Sequence, residues 1–136
     1  MRKVTHHRQA KKRSGVATVE FAVCLPVLVL LVFGSIEASS FIFLKQGLAV
    51  AAYETTREAV RVGSDSGAAS ARGQEILNSR GINDASISIP IGEVSEIERG
   101  QEIIVEVSAP TATNSPLLGR FLTNRVLTSR VVMLKE

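Results

Sequence analysis

The side chains that could do chemistry are few and lie far apart in this sequence. The one cysteine, Cys24, lies inside an apolar run, and both histidines, His6 and His7, lie in the basic segment before it. Nothing around Cys24 offers the base or positive charge that a reactive thiolate needs. We therefore predict that the chain is not an enzyme and that it binds no metal or cofactor.

A group of acids further along the chain allows one alternative to this prediction, a cation-binding site. Its members lie on a predicted loop and strand: Glu93, Glu96, Glu98, Glu102 and Glu106. Carboxylates strung out in this way could hold a cation, but a solvated surface that keeps the protein soluble has the same pattern. We favour the solvated surface.

The junction between the basic segment and the apolar run combines unusual residue types at close spacing. A basic stretch, Lys11-Lys12-Arg13, is followed by Gly15, then by Val16 and further small or apolar residues, and then by Glu20 and Phe21. Glycine leaves the backbone unobstructed. A carboxylate at the start of an apolar run is costly in a membrane and usually marks a function.

The apolar run after this junction is long enough to cross a membrane. Sixteen residues from Phe21 to Ile36 carry no charge, and extension back to Val16 adds only Glu20. About 20 helical residues span a bilayer core of about 30 Å. Pro26 falls inside the run, where a membrane helix tolerates it and we expect a kink.

The charge distribution predicts how the span is oriented. Six of the sixteen Lys and Arg residues lie before Val16 with no acid among them, whereas the remainder has ten basic and thirteen acidic residues. Positive flanks stay in the cytoplasm, so the rest of the chain is predicted to lie outside. The basic character belongs to the leader, and with only 4% aromatic residues a nucleic-acid partner is not expected.

Two other interpretations of the N-terminus remain open. One is a cleaved secretory signal with a small-residue site at Ala38-Ser39-Ser40. The other is an uncleaved signal anchor that holds an unrelated binding or interaction module outside the membrane. Both leave Glu20 without a role.

The order of these residues resembles the TadE-like pseudopilins of the Tad (Flp, type IVb) pilus system. The resemblance rests on Gly15, Val19-Glu20-Phe21-Ala22, Leu25-Pro26, the leucine-rich run to Phe33, Gly34 and Glu37. A second stretch, Ala51-Ala52-Tyr53-Glu54-Thr55-Thr56-Arg57, is similar to a downstream family pattern except that Thr55 replaces a glycine.

The resemblance implies a structural function. A prepilin peptidase would recognise Lys11, Lys12 and Arg13 and cut between Gly15 and Val16, and Glu20 and Phe21 would serve in processing and subunit pairing. The implied role is a minor pilin-like subunit that assembles Tad/Flp-type pili for surface adherence or secretion. Its partners would be the peptidase, other pilin or pseudopilin subunits, the inner-membrane assembly platform and membrane lipid.

Beyond the span, the pattern predicts a pilin-like α+β fold. An apolar stripe at helical spacing runs from Phe41 to Val62 through Leu44, Leu48, Ala52, Thr55 and Ala59, so the stem helix continues outside the membrane. Glu54 with Arg57, and Glu58 with Arg61, are spaced as surface ion pairs.

A glycine- and serine-rich break then precedes a head with one helix and three strands. Asp65 or Ser66 caps a helix over 68–80 that Gly81 ends, and alternation predicts strands at Ile87–Ile91, Ile103–Ala109 and Val126–Leu134. The strands are expected to form a small antiparallel sheet. Leu117, Leu118, Phe121 and Leu122 form an apolar cluster in the connection, either core or contact surface.

The predicted organisation therefore has four parts. They are a basic cytoplasmic leader (1–15), a transmembrane helix (16–38), a periplasmic continuation of the stem (39–63) and a small α+β periplasmic head (64–136).

Overall fold

The computed structural model describes residues 14–116 and 125–136. The elements are helix α1 (Ser14–Val60), helix α2 (Ser66–Ser79), strand β1 (Ser86–Ser88), a 3-10 turn (Val94–Glu96), strand β2 (Glu102–Pro110) and strand β3 (Val126–Leu134). The three strands form an antiparallel sheet in the order β1-β2-β3. This architecture confirms the predicted α+β fold class.

The chain divides into two compact units, one that ends at Gly34 and one from Ser35 to Glu136. Helix α1 contributes residues to both. We call the second unit the head unit. The finer boundaries predicted at residues 15, 38 and 63 stay predictions.

In the head unit, one face of α1 supplies part of the core. Leu44, Leu48, Ala52, Thr55 and Ala59 are buried along it, as the stripe predicts, because this spacing aligns side chains on one side of a helix. Val62 does not continue the stripe and is 73% exposed. The physical reason is that α1 ends at Val60 and Gly63 takes a positive φ of 81°, which turns the chain away.

Two of the residues predicted to bound helix α2 do so. The Asp65 carboxylate accepts a hydrogen bond from the Ala68 backbone N–H at 2.6 Å, which satisfies a donor that the first turn leaves free. The helix starts at Ser66, two residues before the predicted start. Gly81, with a φ of 65°, ends it in a left-handed conformation that suits glycine.

Gly73 allows α2 to approach its neighbours closely. A Cβ atom at this position would lie 2.1 Å from Thr55 Oγ1 and 2.7 Å from Ile87 Cδ1. Thr55 is fixed in turn, because its buried hydroxyl donates to the Ala51 carbonyl at 2.7 Å. The absence of a side chain at Gly73 is therefore a packing requirement.

The central strand β2 carries the clearest alternation. Ile103, Val105, Val107 and Ala109 are all buried, as predicted, while the residues between them are half-buried. In register, Val105 pairs with Val131 of β3, and Val107 pairs with Ile87 of β1. The sheet thus presents one apolar face to the helices.

Strand β1 is shorter than its sequence pattern predicts. It ends at Ser88, and Ile91 lies beyond it with 41% of its surface exposed, so the prediction of a strand reaching Ile91 is wrong. Pro90 has no N–H to donate to a ladder, which explains the early end. The glutamate-rich turn that follows is partly core, since Val94 in its 3-10 turn is fully buried.

The last two residues of the chain contact the end of α1. Lys135 Nζ donates to the Ala59 carbonyl at 3.0 Å, and the Glu136 backbone N–H donates to the Val60 carbonyl at 3.2 Å. A helix leaves its last carbonyls without partners inside the helix, and a cation there is favourable. Lys135 and Glu136 therefore cap the end of α1. The apolar cluster from Leu117 to Leu122 lies outside the described residues.

Candidate membrane anchor and processing junction

The first unit presents apolar side chains on every side of α1. Its large exposed residues include Val16, Val19, Phe21, Val23, Leu25, Val27, Leu28, Leu30, Leu31 and Phe33. Within the most apolar 18-residue window of α1, none of the residues is buried by the protein. In the described part of the chain, α1 is the one helix long and apolar enough to cross a membrane. A helix that is apolar all round and uncovered by protein is typical of a membrane span.

The predicted junction lies at the start of this helix. Gly15 is in the first turn, and a Cβ atom there would meet no heavy atom within 4 Å. Val16, Glu20 and Phe21 are all exposed. Lys11, Lys12 and Arg13, the predicted leader contacts, lie outside the described residues.

Helical spacing brings two of the predicted site residues together. Val16 and Glu20 are four residues apart, so they lie on the same face, where side chains are neighbours. Phe21 lies on the adjacent face. The described part of the junction therefore combines a glycine without close neighbours, one carboxylate and an exposed apolar surface.

The burial of Glu37 is a feature that sequence reasoning missed. Glu37 is only 3% exposed in the head unit, where its Oε1 atom accepts a hydrogen bond from the Ser115 hydroxyl. Its Oε2 atom is also buried and has no hydrogen-bond partner among the described residues. The partner is 78 residues away in the chain, which local sequence patterns do not reveal.

Two of the acids considered as a cation site make separate contacts in different parts of the head unit. Glu93 accepts from the Ser66 backbone N–H at 3.0 Å, at the N-terminus of α2, and Glu106 pairs with Arg130 across the sheet at 3.6 Å. Across residues 14–116 and 125–136, no group of three or more His, Cys, Asp or Glu side chains is placed to hold a metal ion.

A network of charges surrounds the far end of α1. The predicted pairs are present, with Arg57 at 3.8 Å from Glu54 and Arg61 at 2.9 Å from Glu58. Arg72 of α2 also reaches Glu54 at 3.5 Å, a contact that was not predicted. The hydrogen bond from Arg72 to Glu75 and the charge of that carboxylate raise the pKa of Arg72, and Glu54 raises it further.

These observations define a class of protein. Its N-terminal helix is long, apolar and exposed, as a membrane anchor is, and a small α+β head unit follows this helix. The comparison with protein families is more specific. The model of the TadE-like protein family matches residues 15–57. This confirms the resemblance drawn from the sequence over that segment, which begins at Gly15 and includes Glu20, Phe21 and Glu37.

The match covers about a third of the chain and stops within α1. No curated protein and no solved structure matches the chain. TadE-like proteins are a structural, pilus-related family, and the matched segment of this chain includes the exposed apolar helix.

Proposed function

We propose that this protein is a minor pilin-like subunit, a pseudopilin, that acts in the assembly of Tad/Flp-type pili for surface adherence or secretion. A prepilin peptidase removes residues 1–15, and the mature chain begins at Val16. The span holds it in the bacterial inner membrane, with the head in the periplasm until the subunit associates with other pilins, the assembly platform or the pilus itself.

The main support for the proposal is that two features begin at the same residue. The family match begins at Gly15, the same residue at which the basic stretch gives way to the exposed apolar helix. An uncleaved anchor for an unrelated module would need the apolar helix but would have no use for the glycine or for Glu20.

The first test concerns cleavage after Gly15. In the native host, mass spectrometry of the purified protein should find an N-terminus at Val16. Gly15→Val should leave the leader in place and still enter the membrane, because only the peptidase cleft is obstructed by a β-branched side chain there.

Gly34→Val is the matched control for this test. Gly34 lies in the same helix and, like Gly15, has no neighbour within 4 Å of a Cβ position, so this variant should be cleaved normally. Because the prepilin peptidase acts at the cytoplasmic surface, cleavage would also place the leader in the cytoplasm. An intact leader in the unaltered protein, or a cut after Ser40, would favour the anchor or the secretory signal instead.

The second test concerns Glu20. A carboxylate at the start of a membrane span is costly unless it is paired, and cleavage creates a new α-amino group at Val16 on the same helix face. Pairing between neighbouring subunits would make association relieve the cost of both charges. Polar contacts between membrane helices contribute about 1–2 kcal/mol, so Glu20→Ala should co-purify with partner pilins about tenfold less.

Glu20→Ala should still be inserted and cleaved, which separates pairing from biogenesis. Glu58→Ala, which removes an acid from the head end of the same helix, should keep its partners. If Glu20→Ala co-purifies as the unaltered protein does and piliation is normal, Glu20 merely reaches the lipid head groups and has no pairing role.

A further inference from the structure

A groove lies in the head unit beside residues 35–44 of α1. One wall is formed by Ser35, Ile36, Ser39, Ser40, Phe43 and Leu44 of α1. The other wall is formed by Arg80, Gly81 and Ile82 after α2, together with Asn114. Its volume is about 580 Å³, within the range of small-molecule sites.

The second wall is held in place by packing and by hydrogen bonds. Gly47 lets Ile82 approach α1, since a Cβ atom at residue 47 would lie 2.4 Å from Ile82 Cδ1. Asn114 accepts from the Asn83 backbone N–H at 2.8 Å and donates to the Asn83 carbonyl at 2.8 Å. These contacts therefore fix the position of the second wall of the groove.

Arg80 gives the groove a positive charge. Its methylenes lie against α1, with Cδ at 3.6 Å from the Cβ position of Gly47. Arg57, Arg61, Arg72 and Arg130 all pair with glutamates, whereas Arg80 has no ion-pair partner within residues 14–116 and 125–136. None of the lining residues is acidic.

The remaining lining is amphipathic. Ile36 and Phe43 are exposed apolar side chains, whereas Leu44 and Ile82 are buried. The Ser39 and Ser40 hydroxyls donate to carbonyls one turn earlier, at 2.9 and 3.0 Å, so their oxygens can still accept a hydrogen bond. A guanidinium beside an apolar surface fits an anion that carries a hydrocarbon chain.

The position along the chain identifies that anion. The α1 wall begins at the residue after Gly34 and covers roughly 14 Å of helix at 1.5 Å per residue. With the predicted span ending at residue 38, this stretch passes through the lipid head-group layer, which is about 5–8 Å thick on each side of the hydrocarbon core. A phospholipid is present there at high local concentration.

We infer that this groove binds an anionic phospholipid of the leaflet on the head's side of the membrane. The guanidinium of Arg80 holds the phosphate, and the Ile36 side chain contacts the upper part of an acyl chain. The lipid thereby fixes the depth of the head at the membrane surface. This inference needs membrane anchoring but not a role in pilus assembly.

The test uses the full chain in mild detergent. It is titrated with phosphatidylglycerol, or with phosphatidylcholine as the zwitterionic comparison, and the lipid-bound fraction is measured by native mass spectrometry. Phosphatidylglycerol should bind more tightly. Arg80→Gln should weaken its binding about fivefold, the effect expected of one basic side chain at an anionic surface.

Arg99→Gln is the matched control. Arg99 is likewise exposed and lines a different pocket with Val62 and Glu136, so its loss should leave binding unchanged. Arg80→Lys keeps the charge without the planar fork and should be intermediate. Ser39→Phe, which fills the groove, should lower the binding of both lipids.

Three results would overturn the inference. These are equal binding of the two lipids, equal loss in Arg80→Gln and Arg99→Gln, or full lipid binding by Arg80→Gln together with the loss of a partner pilin. The last result would assign the groove to a protein partner. The outcome is independent of leader cleavage, so failure here leaves the pseudopilin proposal intact.

Discussion

The two halves of α1 differ in their surroundings more than in their geometry. Leu28 in the first half and Tyr53 in the second are 47% and 49% exposed on the same continuous helix. Around Leu28 the exposed neighbours are apolar on every side, whereas Tyr53 is followed by Glu54, Arg57 and Glu58. On the proposed topology, equal exposure would mean contact with lipid in the first half and with water in the second.

The comparison also shows what each half depends on for stability. Residues 15–34 have no buried face within the protein, while residues 35–60 bury a stripe against the head core. The stability of the first half depends on the medium around it, whereas the stability of the second half depends on close packing. Some substitutions disturb only the apolar surface of the first half, and others disturb only the packing of the second half. These substitutions can test the two requirements separately.

The largest effect is expected from charges in the first half. Leu28→Arg with Leu31→Arg places two cations in the middle of the apolar run, at roughly 2.5–3.5 kcal/mol each on insertion scales. We expect the protein to be lost from the membrane fraction, measured by fractionation and immunoblotting.

The matched variant carries the same two charges in the second half. Gln46→Arg with Tyr53→Arg replaces exposed side chains that face water, so its membrane fraction should equal that of the unaltered protein. Equal behaviour of the two double variants would mean that the halves do not differ in solvent.

A smaller effect is expected from a methyl group added to a glycine. Gly73→Ala forces a contact with Thr55, which cannot yield without losing its hydrogen bond, and such overpacking costs about 1–3 kcal/mol. The free energy of unfolding of the head in detergent should fall accordingly, followed by circular dichroism. Gly34→Ala, at a helix position with open space, should leave it unchanged. If the two variants unfold alike, close packing of α2 is not a determinant of stability.

The smallest of these effects is expected at the N-terminus of α2. Asp65→Ala removes the acceptor for the Ala68 N–H and should lower the unfolding free energy by about 1 kcal/mol. Asp65→Asn keeps an acceptor and should come close to the original value in the same unfolding experiment. Full stability of the alanine variant would show that the cap is not needed once α2 is packed.

The elements with strong local signals were predictable from the sequence. Asp65 and Gly81 bound α2 because a cap and a left-handed glycine are local chemistry, and the alternation of Ile103, Val105 and Val107 determines which face of β2 is buried. The early end of β1 was overlooked because three alternating isoleucines outweighed Pro90 in the pattern.

Features that depend on distant parts of the chain were not predictable. Val94 is fully buried although its neighbours in a glutamate-rich segment suggest an exposed turn, since its burial comes from tertiary packing. Glu37 is covered in the head unit, and Arg80 becomes part of a groove only when Ile82 packs near Gly47. The junction at Gly15, by contrast, is a linear pattern, and there the sequence alone supports the site prediction.

The contacts made by Lys135 and Glu136 determine where a fluorescent label can be attached. The chain returns at its last residues to the end of α1, and Val60 is about 24 Å along the helix from Leu44, the far end of the groove wall. A dye placed directly after Glu136 is therefore well separated from the groove, but it is next to the two contacts that cap the helix. A flexible spacer after Glu136 would let imaging in living cells follow the subunit without disturbing either feature.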